Sequence, residues 1–207
     1  MASILDGDPH PAAVLRAIED RVQTAARVEV EQIELLLEWA DLHSGDPQDE
    51  PGAVPIRFGG PKLVTLGGEG TPPLSDLCLP EIAIARGISP QALRHQMADA
   101  LDLRHRLPLV WAGVQALECP AWVGRRVARM SRHLTAEQVQ LVDTAVSEAL
   151  AQGPSRILEI TEATIIEADP DAHQARLDKA AKTRGVWLIR PRGGEDRLEN
   201  PGLATIV

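Results

Sequence analysis

The stretch that decides the fold of this 207-residue chain reads Glu81-Ile82-Ala83-Ile84-Ala85-Arg86-Gly87-Ile88-Ser89-Pro90-Gln91-Ala92-Leu93-Arg94. Ala83 is small enough to let two helices approach closely, and Gly87, four residues later, can carry the backbone through a turn. Leu93 then packs the second helix against the first, and Ser89 can cap that second helix. The spacing predicts a helix-turn-helix-like unit over residues 80–103.

A capped helix N-terminus of this kind is free to enter the major groove of duplex DNA. Gln91, Arg94 and His95 would then point outward, and Gln and Arg are side chains that make two-pronged contacts to base edges. We therefore expect these three to be groove-facing residues. A short helical hairpin in any α-domain can have the same spacing, so a purely structural role for the unit stays open.

The rest of the chain predicts a mainly α protein. Helix-start signals recur after the unit, at Pro108, at Pro120, at Thr135 with Gln138 in capping-box spacing, at Ser155 and at Asp169-Pro170. After Arg184 the periodicity becomes that of a strand, so residues 185–207 look like the start of a β element that is cut short. The fold class we expect is a long N-terminal helix, a multi-helix domain over residues 77–184 that contains the helix-turn-helix-like unit, and a small β element at the C-terminus.

Residues 1–43 are expected to form mainly one long amphipathic helix, from about Pro11 to Leu42. Apolar residues recur there at steps of three and four and make one stripe: Leu15, Ile18, Val22, Ala26, Val30, Ile33, Leu37 and Ala40. The other faces are acidic. The stripe must meet a partner, which is either the chain's own core or a second copy in a homodimer.

Residues 44–76 predict a linker or irregular loop, because they hold thirteen of the chain's 32 glycines and prolines. At most a short hairpin is expected there, formed by residues 56–58 and 63–65. The glycine-rich segment at residues 67–71 is a poor phosphate loop, since Pro72-Pro73 follows where a helix is required and Glu69 has the wrong charge.

The net charge of −9 excludes a protein that simply coats nucleic acid, but the charge is unevenly distributed. Between Pro80 and His133, eight arginines stand against four acidic residues. We expect five of these arginines to contact phosphates: Arg104, Arg106, Arg125, Arg126 and Arg129. The alternative is a solvated face in which these arginines pair with acidic neighbours such as the N-terminal helix.

Other features limit the function further. Aromatic residues make up 2% of the chain, which nearly excludes a base-stacking platform for single strands. No apolar run is long enough for a membrane span, and no secretory signal opens the chain. We therefore expect no membrane partner. Cys78 and Cys119 lack the paired spacing of a metal site or a disulfide framework, so we expect no metal ligands and a protein of the reducing cytoplasm.

Two candidate sites remain within the helical domain. Asp102 and His105, three residues apart on one helix, could form an acid–base pair, but no nucleophile or metal set accompanies them, and a structural or phosphate-contact role is favoured. We therefore assign no catalytic residue. Trp111 and Trp122 lie in apolar helical surroundings and are expected to anchor the core.

Several motifs together resemble a known family. They are Leu37-Glu38-Trp39-Ala40-Asp41-Leu42-His43, Gly68-Glu69-Gly70-Thr71-Pro72, Ala100-Leu101-Asp102-Leu103-Arg104-His105-Arg106-Leu107-Pro108, Pro120-Ala121-Trp122-Val123-Gly124-Arg125-Arg126 and Asp169-Pro170-Asp171. The chain resembles, from about Leu36 to Val207, domain of unknown function 222, also called the 13E12 repeat family of actinobacteria. Long members carry a C-terminal HNH endonuclease module, and nothing in this chain matches its His-Asn-His core.

The resemblance implies the N-terminal, DNA-targeting region of an HNH-endonuclease-type protein without the part that cuts. No cofactor is expected in this chain, since a divalent metal is implied only for the absent HNH module. The leading hypothesis is therefore a module that binds double-stranded DNA. The alternative is an α-helical interaction or dimerisation module with no affinity for DNA.

Overall fold

The mainly helical fold class is confirmed, and the elements are ordered much as the sequence predicts. The computed structural model describes residues 10–183, so the β element expected at 185–207 lies outside the described residues. The helices are α1 (Pro11–Leu42), α2 (Cys78–Ala85), α3 (Pro90–Arg106), α4 (Pro108–Gln115), α5 (Ala121–Ser131), α6 (Ala136–Ser147), α7 (Pro154–Ala168) and α8 (Pro170–Thr183). Two short strands, β1 (Leu63–Val64) and β2 (Leu74–Ser75), pair antiparallel.

The chain divides into two compact units, one ending at Ala168 and the other beginning at Asp169. The first unit holds α1 to α7 and the two strands around one hydrophobic core. The second unit contributes α8, which begins at the Pro170 predicted to start it.

Only the second half of α1 packs on the core. Val30, Ile33, Leu37 and Ala40 are buried, as the apolar stripe predicts, and Leu36, which lies outside the predicted stripe, is buried beside them. The first half of the same stripe stays exposed: the exposed fractions of Leu15, Ile18 and Val22 are 57%, 54% and 64%. The helix is roughly 48 Å long at 1.5 Å per residue, which is more than this core can cover.

The prediction of a hairpin formed by residues 56–58 and 63–65 is wrong. Ile56–Phe58 is a 3₁₀ turn, because Pro55 precedes it and Gly59 follows it in the left-handed region at a φ of 85°. Leu63–Val64 instead pairs with Leu74–Ser75, with Leu63 opposite Ser75 and Val64 opposite Leu74. Leu74 is 1% exposed, so burial of this side chain decides which segment pairs with β1.

The helix-turn-helix-like unit has the local geometry that its spacing predicts. Ala83 is 1% exposed, and its carbonyl accepts a hydrogen bond from the Ile88 N–H at 3.0 Å across the turn. Gly87 adopts a φ of 63°, which a residue with a Cβ rarely tolerates. Ser89 Oγ accepts from the Ala92 N–H at 3.1 Å and caps α3.

A carboxylate from a distant helix caps α4. Leu107 offers α4 no side-chain cap, and Asp143 on α6 accepts hydrogen bonds from the Leu109 and Val110 N–H groups at 3.0 and 2.9 Å. Burial raises the pKa of Asp143, although these two N–H groups act in the opposite direction. This contact fixes α4 against α6, and the predicted capping box at Thr135 and Gln138 begins α6.

The core uses few aromatic side chains, so leucine, isoleucine and valine fill it. Trp111 is buried at 7% exposure, as expected, whereas Trp122 is 51% exposed, so the expected core role of Trp122 is wrong. In α5 the buried residues are Ala121, Val123, Gly124, Val127, Ala128 and Ser131, and Trp122 lies about 100° around the helix from its neighbour Val123. Helical phase, which depends on where α5 packs, places the indole at the surface.

The two thiols should be nearly inert in the native protein. Burial raises the pKa of the Cys119 thiol to about 11, with a further contribution from Glu118, and burial also raises the pKa of Cys78. At pH 8 about one Cys119 thiol in a thousand is then ionised, and the thiolate is the reactive form. We expect Ellman's reagent to label the native protein slowly and to label two thiols per chain rapidly in urea. Equal rates in the two conditions would contradict the burial of both cysteines.

Candidate nucleic-acid interface

The first two turns of α3 hold the three residues predicted to face a groove. Gln91 and His95 are exposed, and their side chains are joined by a 3.0 Å hydrogen bond between Gln91 Nε2 and His95 Nε2. Arg94 is half-buried. The structure therefore brings these residues together at the start of α3.

The opposite face of α3 packs in the core along the whole helix. Leu93, Met97 and Leu101 are each 0% exposed. Asp99 and Asp102 are also 0% exposed, although both are carboxylates. A buried carboxylate is costly unless it is paired and hydrogen-bonded, so the partners of these two residues determine how α3 is packed.

Both carboxylates are satisfied by arginines of the α5 segment. Asp99 accepts from Arg129 Nη2 at 2.6 Å and from Arg132 Nη2 at 2.7 Å. Asp102 accepts from Arg132 Nε at 2.6 Å and from the backbone N–H of Gly68 at 2.7 Å. We call these groups, together with Arg106 and Arg125, the aspartate–arginine network.

The spacing of these contacts shows how the helices are aligned. The pairs Asp99–Arg129 and Asp102–Arg132 are each separated by 30 residues. Moving three residues along α3, from Asp99 to Asp102, moves the partner three residues in the same direction along α5, from Arg129 to Arg132. The two helices therefore run parallel, and α4 connects them. Gln91 and His95 continue the aspartate-bearing edge of α3 toward its N-terminus, since the steps 91, 95, 99 and 102 follow one helix face.

Arg106 is buried in the network and is 4% exposed. Its Nη1 and Nη2 donate to the carbonyls of Arg132 and Leu134 at 3.1 and 2.5 Å, and Nη1 lies 3.5 Å from Asp102 Oδ1. A DNA phosphate could reach this guanidinium only if these contacts broke. Arg106 was predicted as a phosphate contact, and its position in the structure is that of a structural side chain.

Arg104 is also engaged within the protein. Its guanidinium forms a two-pronged pair with the carboxylate of Asp41 on α1, in which Nη1 donates to Oδ2 at 2.8 Å and Nη2 contacts Oδ1. The hydrogen bonds from Arg104 lower the pKa of Asp41. This pair is one contact of the kind anticipated between the arginines and the acidic N-terminal helix.

The aspartate–arginine network has a net positive charge, and part of that charge is exposed to solvent. The network contains four arginines and two aspartates, an excess of two positive charges. The side chains of Arg125 and Arg129 are 32% and 47% exposed, so part of this excess faces solvent. Although burial acts to lower the pKa of Arg132, Asp102 and Asp99 outweigh burial and raise it.

A cationic stripe runs along the outer face of α5 and its last turn. Trp122, Arg126, Arg129 and His133 are all exposed and follow one another at steps of four, three and four. The buried carboxylate of Asp99 accepts a hydrogen bond from Arg129, and this contact fixes the guanidinium in place. The contact of Arg129 with Asp99 joins the stripe to the seam between the two parallel helices.

Asp102 and His105 do not form the acid–base pair considered from the sequence. Asp102 is buried in the network, whereas His105 is exposed and accepts a 3.2 Å hydrogen bond from Arg104 Nε. Partial burial and then the charge of Arg104 lower the pKa of His105. The structural role favoured for Asp102 fits its position.

Sequence reasoning missed three members of the site: Asp99, Gly68 and Arg86. The signal for Asp99 was present, because the spacing of Asp99 and Asp102 repeats in Arg129 and Arg132. Gly68 was set aside with a rejected phosphate loop, and its N–H binds a carboxylate instead. Arg86 was predicted only as part of the turn, and in the structure it donates hydrogen bonds to Gln96 and Gln32.

Comparisons with known proteins add no relative. No family model matches the chain, and neither a curated protein nor a solved structure is similar to it. The resemblance to domain of unknown function 222 therefore stays a prediction. Within residues 10–183, no helix has the length and apolarity to cross a membrane, and no three His, Cys, Asp or Glu side chains are grouped so that they could hold a metal ion.

The packing of Gly68 against the network gives a stability test. A Cβ at Gly68 would overlap the guanidinium of Arg106 and approach the carbonyl of Arg132. We expect Gly68→Ala to lower the free energy of unfolding by about 1–3 kcal/mol, because it overpacks the site. Gly45→Ala is the matched control, since no described atom lies within 4 Å of a Cβ built there.

Urea unfolding followed by circular dichroism measures both changes. The control should stay within about 0.5 kcal/mol of the wild type. If Gly68→Ala were as stable as Gly45→Ala, the contact of residues 67–68 with the network would be refuted.

Proposed function

We propose that this chain binds duplex DNA, with the first two turns of α3 against a groove and the cationic stripe of α5 against the phosphate backbone. One observation carries the proposal. In a protein of net charge −9, the buried carboxylate of Asp99 holds the half-exposed guanidinium of Arg129 at the surface, on the edge of α3 that leads to the capped N-terminus of that helix. Phosphate contacts position a protein on DNA, and groove contacts supply sequence preference.

The roles follow from exposure and pairing. Arg125, Arg126 and Arg129 are assigned to phosphates, because their side chains reach solvent. Gln91, Arg94 and His95 are assigned to the groove. Arg104 and Arg106 are left out of the interface, since Asp41 and two carbonyls already hold them.

The family resemblance gives this binding a context. A protein of that family would use this region to target DNA for an HNH endonuclease module, in the cytoplasm. We assign no catalytic residue to the chain, because none of its residues matches the nuclease core.

Fluorescence anisotropy with duplex DNA across a range of salt concentrations tests the proposal. Three phosphate contacts should make the logarithm of the binding constant fall with a slope of about −3 against the logarithm of salt concentration. Arg126→Gln should reduce the steepness of that slope by about one, and Arg94→Ala should cost about 1–3 kcal/mol if it contacts a base.

Arg156→Gln is the matched control for Arg126→Gln. Arg156 is an exposed arginine of α7 that pairs with Glu159 at 3.0 Å, so its loss removes the same charge from another face. Its salt slope should equal that of the wild type. Wild-type protein that does not bind duplex DNA even at low salt would overturn the proposal.

A second function is favoured by a different observation, the exposed half of the α1 stripe. Leu15, Ile18 and Val22 continue the face that is buried further along the helix, and they are more than half exposed. A second copy of α1 would cover them: in an antiparallel pair, Ile18 of one copy can face Val22 of the other. The chain would then be a dimerisation module.

Light scattering tests this alternative with one matched pair of variants. Ile18→Glu should convert a dimer into a monomer, because it places a charge within the apolar stripe. Val28→Glu introduces the same charge at a position that is 43% exposed and lies off the stripe, so it should leave the dimer intact. A wild-type protein that is monomeric at every concentration would exclude the dimer.

A further inference from the structure

A small cleft separates α1 from the helix-turn-helix-like unit and the start of α5. Its volume is about 190 Å³, which is below the roughly 300–1,000 Å³ of pockets for whole small molecules. The polar and aromatic residues that line it are Glu29, Gln32, Arg86, Gln96, Trp122 and Arg125. The size suits a single small group rather than a nucleotide.

Arg86, at the turn after α2, reaches into this cleft with its charge uncompensated. Its Nη1 donates to Gln96 Oε1 at 2.6 Å and its Nη2 donates to Gln32 Oε1 at 2.9 Å. Both acceptors are neutral amides, and no ion pair joins Arg86 to a carboxylate in the part of the chain that the structure describes. The two glutamines therefore fix the direction of the guanidinium without neutralising it.

Arg125 enters the cleft from α5 and is poorly satisfied. Its Nε lies 3.6 Å from Asp99 Oδ2, an oxygen that already accepts from Arg129 at 2.6 Å. That Nε is buried and has no hydrogen-bond acceptor among the described residues. Partial burial and the nearby charge of Arg125 both lower the pKa of Arg86, as expected for two like charges in one cleft.

The backbone adds to this positive potential. Ala121 and Trp122, the first residues of α5, line the cleft. Within residues 10–183, no side chain caps the N-terminus of α5, and its first turn contains no acidic residue. Unsatisfied N–H groups at a helix N-terminus attract anions. Among the nine described residues that line the cleft, Glu29 is the one carboxylate.

We propose that this cleft binds one phosphoryl group, held by Arg86 and Arg125, at the start of α5. The occupant that the proposed function implies is a backbone phosphate of duplex DNA, so this assignment rests on DNA binding. A free phosphate ion offers the same oxygens to the same guanidinium groups. The half-exposed indole of Trp122 forms one wall and reports on occupancy.

The experiment uses the full chain and four variants. Arg86→Gln and Arg125→Gln each remove one positive charge from the cleft, and Glu29→Gln removes the negative charge at its rim. Arg156→Gln, on α7, is the control for charge loss elsewhere. Thermal unfolding of each variant establishes that it is folded before binding is measured.

Two titrations are run on each variant. The first titration adds duplex DNA and measures fluorescence anisotropy at several salt concentrations. The second adds inorganic phosphate and monitors the ¹H–¹⁵N NMR signal of the Trp122 indole. A Trp122→Phe sample identifies that signal. Arg86→Gln and Arg125→Gln should each make the DNA salt slope shallower by about one and weaken phosphate binding by at least about tenfold. Glu29→Gln should strengthen phosphate binding about two- to fivefold, a gain that misfolding cannot produce.

The outcomes separate this proposal from the proposed function. DNA binding whose salt slope is the same in Arg86→Gln as in Arg156→Gln would overturn the cleft and leave DNA binding standing. A wild-type protein that binds phosphate at Trp122 but not DNA would support the cleft, with free phosphate as the source, and overturn DNA binding. A Trp122 signal that phosphate leaves unchanged, in a protein that does not bind DNA, would overturn both.

Discussion

The fold depends on the burial of two carboxylates between parallel helices. Asp99 and Asp102 are fully buried on α3, and among the described residues their hydrogen-bond donors are Arg129, Arg132 and the Gly68 N–H. Removing one partner from a buried ion pair costs about 3–5 kcal/mol, because the other charge is left uncompensated. These contacts therefore fix the register of α3 against α5 and hold residues 67–68 in place, which hydrophobic packing alone would specify less sharply.

The same network explains how an acidic protein can present a cationic surface. Arginines outnumber aspartates in it by two, so the contacts that neutralise the buried carboxylates leave positive charge facing solvent. At physiological salt the Debye length is about 8 Å, so the net charge of −9 acts weakly at a distance while nearby groups act fully. An anion that reaches the seam between α3 and α5 meets mainly arginines.

The long helix α1 contacts two arginines of the first unit and also extends beyond the core. Its second half packs on the core and is tied by polar contacts at both sides, through Asp41 to Arg104 and through Gln32 to Arg86. Its first half extends past the core with an apolar stripe exposed. The helix therefore forms one wall of the Arg86–Arg125 cleft and leaves a separate apolar surface exposed, so the proposed DNA binding and the proposed self-association would use different surfaces.

Local patterns in the sequence determined the helical class, the bounds of α1, the cap at Ser89 and the turn at Gly87, because each depends on residues a few positions apart. Those patterns could not identify the partner of β1, the exposure of Trp122 or the burial of Arg106, since each depends on which helix face meets the core. The exposure of Gln91 and His95 at the start of α3 followed from the cap at Ser89, whereas the engagement of Arg104 by Asp41 required two segments 63 residues apart to meet. Only the tertiary structure decided which arginines neutralise buried carboxylates and which remain at the surface, because electrostatic pairing acts through space and not along the chain.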